Sequence, residues 1–337
     1  MSAFDPDAPA SLDDGLYGLG DDPETAGVVV IPVPVQATTS YRRGTRDGPE
    51  AVLAASLQVD LTDRECGDAW RGGIAMVPLA DCPVAAWDRA VEADALAVIA
   101  AGGATPALAA EVLRVDAFGE QVNAWVYRYA VAALARGAVP AVLGGDHSAP
   151  FGNLQAVAEA HKGVGVLHVD AHADLRPAYE GFRWSHASIF YNAVTRLEGL
   201  GPLVQVAVRD FGQVELDLIR ARADVHTFFD ADLAWQLAGG APWRRLVERI
   251  LEPLPPEVYV SVDIDGLDPA LCPNTGTPVP GGLSWHQLAV LLRALVESGR
   301  RIVGFDLCEV APGDVDALVG ARVLYKLANW ALVSQRG

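Results

Sequence analysis

Asp170, His172 and Asp174 occupy alternate positions in the stretch LHVDAHADLR, directly after an apolar run. In an extended chain alternate side chains leave on the same side, so this spacing predicts one small polar volume. Two other segments carry the same residue types: GGDHS, with His147, and SVDIDGLDP, with Asp263 and Asp265. Carboxylates brought together repel one another and raise a pKa unless a proton or a cation lies between them. Two imidazoles and four carboxylates are too many donors for one ion, but they suit two divalent ions about 3.5 to 4 Å apart with carboxylates as bridges. Oxygen-rich ligation with two histidines and no thiolate favours Mn2+, and Fe2+, Co2+, Ni2+ and Zn2+ are also compatible. Water shared by two such ions is acidic enough near neutrality to attack a planar, electrophilic carbon.

Each segment has an ordinary structural reading as well. Asp146 and His147 sit where a helix could start and be capped. Asp263 and Asp265 could form a turn before DGLDP. DAHAD is harder to explain that way, because three titratable groups ending a buried apolar strand cost free energy unless they are coordinated or paired. His168 shares the parity of Asp170 and His172 but lies further back, which points to a core or supporting role. His161, His226 and His286 have no partners in sequence and are read as structural.

The elements that must position these groups follow from the apolar pattern. Short β-branched or apolar runs are expected as strands at 27–33, 72–78, 139–145, 164–170, 203–208, 224–229, 258–265 and 301–309. Ala/Leu-rich segments between them predict helices near 85–101, 119–136, 148–160, 185–198, 213–222, 243–252, 284–298 and 316–333. The alternation predicts an α/β fold with a mainly parallel sheet, and near-continuous apolarity implies burial on both faces. Every polar segment of interest falls at a strand's carboxyl end, where ligands sit in open α/β sheets. Residues 1–26, acidic and without a signal peptide's basic and apolar regions, read as a flexible lead-in, and 27–337 as one domain.

Composition narrows the class. A net charge of -18 and a pI near 4.7 argue against nucleic acid or an anionic membrane and favour cationic ligands. The most apolar stretch, 97–113, is broken by Gly and Pro and is too short to cross a bilayer. Cys66, Cys82, Cys272 and Cys308 form no CxxC pair and fit free thiols in a cytoplasmic protein.

GGDHS, DAHAD and SVDIDGLDP followed by TGTPVPGGL resemble, in order, the signature segments of the ureohydrolase family of arginases and agmatinases. The resemblance covers roughly residues 27–333 and implies a three-layer α/β/α sandwich on an eight-stranded sheet. It also implies two manganese ions per chain, one held by His147, Asp170, Asp174 and Asp263, the other by Asp170, His172, Asp263 and Asp265. His186 matches the family's proton-transfer histidine, and Glu309 its guanidinium-binding glutamate, a carboxylate able to grip a planar fork.

The implied reaction is hydrolysis of a small cationic guanidino compound to urea and an amine, by a homotrimer or hexamer. LRPAYEGFRW lacks the Asn and Ser pattern that arginases use for the substrate carboxylate, and Gly212 stands where their amine-binding aspartate would be. An agmatine-type substrate is therefore preferred, with arginine, another guanidino acid or guanidine as alternatives. A single-metal deacetylase-like amidohydrolase and an inactive metal-binding regulator are the rival classes. Phe182 and Trp184 could narrow the pocket or simply pack, and the loop RRGTRDGP (42–49) could reach its mouth or be a surface turn.

Overall fold

The computed structural model describes residues 5–336. Eight strands form one sheet: β1 (Val28–Val33), β2 (Ile74–Met76), β3 (Val139–Gly144), β4 (Val164–Val169), β5 (Leu200–Val208), β6 (Val225–Phe229), β7 (Glu257–Asp263) and β8 (Arg301–Cys308). Every pairing is parallel, in the order β2-β1-β3-β8-β7-β4-β5-β6. All eight expected strands are present and the sheet is wholly parallel. Ten helices connect them among the described residues: α1 (Gly48–Ser56), α2 (Val84–Ala100), α3 (Ala109–Ala135), α4 (Phe151–Ala160), α5 (Ile189–Arg196), α6 (Gln213–Ala221), α7 (Asp230–Ala238), α8 (Trp243–Leu251), α9 (Trp285–Glu297) and α10 (Asp314–Ser334).

The strands are apolar throughout because both faces are covered. Val28 and Val30 of β1 pack in one core with Leu327 and Trp330 of α10, whereas Val29 faces the opposite side, against Ala133 of α3. Likewise Val258, Val260 and Val262 of β7 join the core shared with α8 and α9, and Tyr259 points into the core shared with α4 and α5. A parallel sheet sandwiched this way is the expected architecture.

Three helical details depart from the sequence reading. α3 starts ten residues earlier than the expected 119, right after the GGATP break. α1 and α7 have no counterpart among the expected helices: their apolar and polar residues are less clearly sorted onto opposite faces than those of α6 and α8, which are equally short.

The expected flexible lead-in is anchored from Leu16 onward. Leu16 and Tyr17 are buried, the Tyr17 hydroxyl donates to the Ala321 carbonyl at 2.9 Å, and the Asp21 carboxylate accepts the Ile74 N–H at 2.8 Å. Burial of these two side chains together with such hydrogen bonds holds the segment against α1 and α10; residues 1–4, and Gly337 at the other end, lie outside the described residues.

The topology decides where the chemistry goes. β3, β8, β7 and β4 are consecutive neighbours in the sheet and run in one direction, so the segments after them share one carboxyl edge. At about 4.8 Å between strands, four neighbours bring their loops within reach of one cluster.

Candidate active site

The structure brings all six sequence-predicted donors together. His147 Nδ1 lies 3.1 Å from Asp170 Oδ2, 3.1 Å from Asp174 Oδ2 and 3.4 Å from Asp263 Oδ2. His172 Nδ1 lies 3.4 Å from Asp170 Oδ1 and 3.2 Å from Asp265 Oδ2. Asp170 thus presents one oxygen to each imidazole. All but His172, itself three-quarters covered, are buried.

Local backbone explains the convergence, with one correction to the alternation argument. β4 ends at Val169, and the Asp170 carboxylate accepts the His172 N–H at 2.6 Å, while His172 stays extended, bridged in parallel to Asp210. Asp174 then takes a left-handed φ of 53°, so it reaches His147 through a turn rather than by strand parity. Its carbonyl accepts the N–H groups of Phe190 and Tyr191 at 3.1 Å each, which fixes that turn to α5. After β7, Asp263 Oδ1 accepts the Asp265 N–H at 2.9 Å and Asp265 Oδ1 accepts the Ala171 N–H at 3.1 Å, tying the two acidic loops together. Gly266 allows this approach: a Cβ there would stand 2.7 Å from the Asp170 nitrogen.

Glu309, just past β8, is buried and also has a positive φ, 61°. Its Oε1 accepts the His147 N–H at 3.1 Å and its own N–H donates to the Gly145 carbonyl at 2.7 Å, so it leans over the His147 side of the cluster. Gly276, in TGTPVPGG, leaves room beside it, since a Cβ would lie 3.3 Å from Glu309 Oε2. Two non-glycine residues in left-handed backbone at one site is the strain often stored where function sits. Burial, reinforced by Asp146 and Asp265, pushes the Glu309 carboxyl well above the usual carboxylate range.

His186 opens a short 3-10 turn, His186–Ser188, capped by Ser185, whose Oγ accepts the Ala187 N–H at 3.2 Å. Its ring meets Tyr179 edge-on at 5.7 Å. Burial first, then the positive charges of His172 and His147, push its pKa down to about 4. Phe182 is buried in the core, and Trp184 packs edge-on against Phe151 at 4.8 Å with Arg196 5.1 Å from its ring, so both aromatics pack. The loop 42–49 packs against the segment after β8 and leads into α1: a Cβ on Gly48 would stand 2.1 Å from the Val310 carbonyl oxygen, Arg42 donates to the Pro273 carbonyl at 2.9 Å, and buried Arg46 pairs with Asp88 at 2.5 Å and Glu92 at 2.7 Å.

His168 is the supporting group its position suggested: Nε2 lies 2.8 Å from Asp170 Oδ2 and Nδ1 3.0 Å from Gln205 Nε2. His161 faces Glu257 at 3.1 Å, away from the cluster. Sequence reasoning did not find three supporting residues. Arg209 donates to the carbonyls of Ala207, Asp265, Leu267 and Val279, stapling the loop after β7 to TGTPVPGG. Ser261 and Asp306 stand behind His147, with Ser261 Oγ 2.9 Å from its Nε2. Their one signal is polarity inside apolar strand runs, SVDID and GFDLC.

The donor set fits two dications of borderline or hard character: imidazole nitrogens and carboxylate oxygens lie within 4.8 Å of one another in His147, Asp170 and Asp174, with His168 behind them, and in Asp170, His172 and Asp265, while Asp263 Oδ2 stands 3.4 Å from His147 Nδ1 and outside both groups. Cys308 lies near His147 and Asp306, where burial holds its thiol well above the ordinary range.

Comparison with known proteins agrees with this geometry. The chain is 37% identical over 313 residues to N(1)-aminopropylagmatine ureohydrolase from Thermus thermophilus, covering 92% of each chain. It is 31% identical over 322 residues to proclavaminate amidinohydrolase from Streptomyces clavuligerus, again 92% of each. The solved structure of agmatine ureohydrolase from Thermoplasma volcanium shares the fold, with a TM-score of 0.71 at 24% identity over 94% of this chain and 93% of that one. The arginase-family model matches residues 26–329, and the chain therefore belongs to the arginase family, as a ureohydrolase acting on guanidino carbon–nitrogen bonds.

Proposed function

We propose that residues 27–337 form one catalytic domain that hydrolyses an agmatine-type guanidino compound to urea and an amine with two Mn2+ ions per chain. The observation that carries this reading is Asp170 between two imidazoles, one oxygen toward His147 and one toward His172. His147, Asp170, Asp174 and Asp263 would hold one ion, and Asp170, His172, Asp263 and Asp265 the other, with Asp170 and Asp263 as bridges. When bound, two such ions lower the pKa of water and polarise the substrate.

The remaining roles belong to the chain itself. Glu309 grips the planar guanidinium in charge-assisted hydrogen bonds, the cation drawing the buried carboxyl back to its charged form, and orients its carbon toward the cluster. His186 carries the proton to the departing amine nitrogen; with its pKa pushed down to about 4 it is neutral at pH 7 and, once protonated, gives the proton up readily. The bond between the guanidino carbon and the alkyl-bearing nitrogen breaks, and urea and the amine leave.

Preference for agmatine over arginine rests on Gly212, which offers no carboxylate to an α-amino group, and on the missing Asn and Ser pattern after DAHAD. The acidic composition agrees with a cationic substrate, and the free cysteines with a cytoplasmic place in polyamine metabolism. No helix among the described residues is long and apolar enough to cross a membrane. We propose a homotrimer or hexamer on the family resemblance. The deciding experiment is urea release by the Mn2+-loaded protein across agmatine, arginine, guanidinobutyrate, guanidinopropionate and guanidine. Agmatine should give the highest kcat/KM; arginine in first place would overturn the substrate assignment, and no urea from any of them the whole reading.

A further inference from the structure

His147 is gripped from two sides. In front, its Nδ1 faces three carboxylates; behind, its Nε2 lies 2.9 Å from Ser261 Oγ, and Ser261 Oγ donates to Asp306 Oδ1 at 2.9 Å. Ser261 and Asp306 are paired partners on adjacent strands β7 and β8, so their side chains leave the sheet on the same face, directly under the ring. Ser261 and Asp306 are completely buried. Among the described residues, His147 is the one basic side chain within ion-pair reach of Asp306, at 3.6 Å.

A buried carboxylate without a fixed cation costs several kcal/mol, on the order of what an unpaired charge costs inside a protein. Its neighbours do not neutralise it: Cys308 points a weak S–H donor at it from 3.8 Å, and Tyr259 beside it has its hydroxyl held well above the usual phenol range by burial and by this carboxylate. The hydrogen-bond directions form one consistent chain, from the imidazole N–H through the serine hydroxyl to the carboxylate. That chain keeps a proton on Nε2, so the Nδ1 that faces Asp170, Asp174 and Asp263 is the nitrogen that gives up its proton to take a cation. The reversed tautomer would aim an N–H at that volume and a lone pair at Ser261, whose hydroxyl would then have to abandon Asp306.

We propose that Asp306 is a positioning residue for the ion on the His147 side of the cluster, acting through Ser261 to fix the His147 tautomer and to strengthen its Nδ1 as a donor. The inference rests on the binuclear reading above. Carboxylates that stand behind metal-bound histidines typically change metal affinity about 10- to 100-fold when replaced. Asp306 does not touch the His172, Asp265 side, so its effect should be confined to one of the two ions.

The test is metal content per chain, read by mass spectrometry after equilibration at buffered free Mn2+, for the wild type, Asp306→Asn and Ser261→Ala, with circular dichroism to show that each variant is folded. The wild type should hold two ions, and each variant should lose one at a free Mn2+ level that saturates the wild type, regaining it at about 10- to 100-fold higher concentration. Should Asp306→Asn fail to fold, Ser261→Ala alone decides the question, since it removes the link and keeps the charge. Folded variants that keep both ions at unchanged affinity overturn the proposal, and so does loss of both ions together, which a general defect would produce. A wild type that never binds two ions refutes the binuclear reading instead.

Discussion

Glu309 Oε1 accepts the backbone N–H of His147 at 3.1 Å, which joins the residue after β8 to the residue after β3 across the mouth of the cluster. The carboxylate is therefore pre-set beside the donors rather than free to swing. Glu309→Gln keeps an oxygen for the His147 N–H but removes the charge that a guanidinium needs. The expected outcome is unchanged metal content with kcat/KM for a guanidino substrate lowered about 10- to 100-fold, the range lost when a charge-assisted pair becomes neutral. Unchanged kcat/KM would remove Glu309 from substrate binding.

Asp170 contributes an oxygen to each imidazole's surroundings. Asp170→Asn should empty both metal positions, whereas Asp174→Asn, which faces only His147, should weaken one. Activity should fall with the metal, on the order of 10³-fold for loss of several kcal/mol of charge stabilisation. Metal analysis beside urea assays checks this; a fully loaded Asp170→Asn protein would contradict the bridging role.

His186 pairs with none of the six donors. His186→Asn should retain both ions while turnover drops about 10²- to 10⁴-fold, the usual worth of a positioned acid or base. Equal loss of metal and turnover would make it a structural residue.

The same histidine predicts an acid dependence of stability. Its pKa falls from 6.5 to about 4 on folding, so below pH 6.5 the unfolded chain binds a proton that the folded one refuses. Its contribution is thus absent above 6.5, turns destabilising as pH falls from 6.5 to about 4, and is constant below that. Urea unfolding of metal-free wild type and His186→Asn at pH 7, 6, 5 and 4.5 should show the variant losing less stability on acidification. Parallel losses would refute the assignment.

Away from the chemistry, Asp88 is completely buried, pairs with Arg46 at 2.5 Å and accepts the N–H groups of Gln36 and Ala37 at 2.9 and 2.8 Å. Asp88→Ala leaves Arg46 with half its partners and two backbone donors with none. A cost of about 3 to 5 kcal/mol is expected from breaking such a buried pair, visible as a lowered unfolding midpoint. A loss under about 1 kcal/mol would mean that Glu92 takes over.

Strand identity, the order of the motifs and the two imidazoles with their four carboxylates were all legible in the chain, because a strand buried on both faces is written as a local apolar run and a polar residue at its end stands out against it. Asp174, however, reaches His147 through a left-handed turn that alternation alone does not predict. The sheet order that makes β3, β8, β7 and β4 neighbours, the Ser261–Asp306 pair behind His147, and the four carbonyls collected by Arg209 were decided by tertiary structure. The reason is physical: apolar periodicity reports what each segment buries, whereas which buried polar group meets which depends on strands far apart in sequence lying in register.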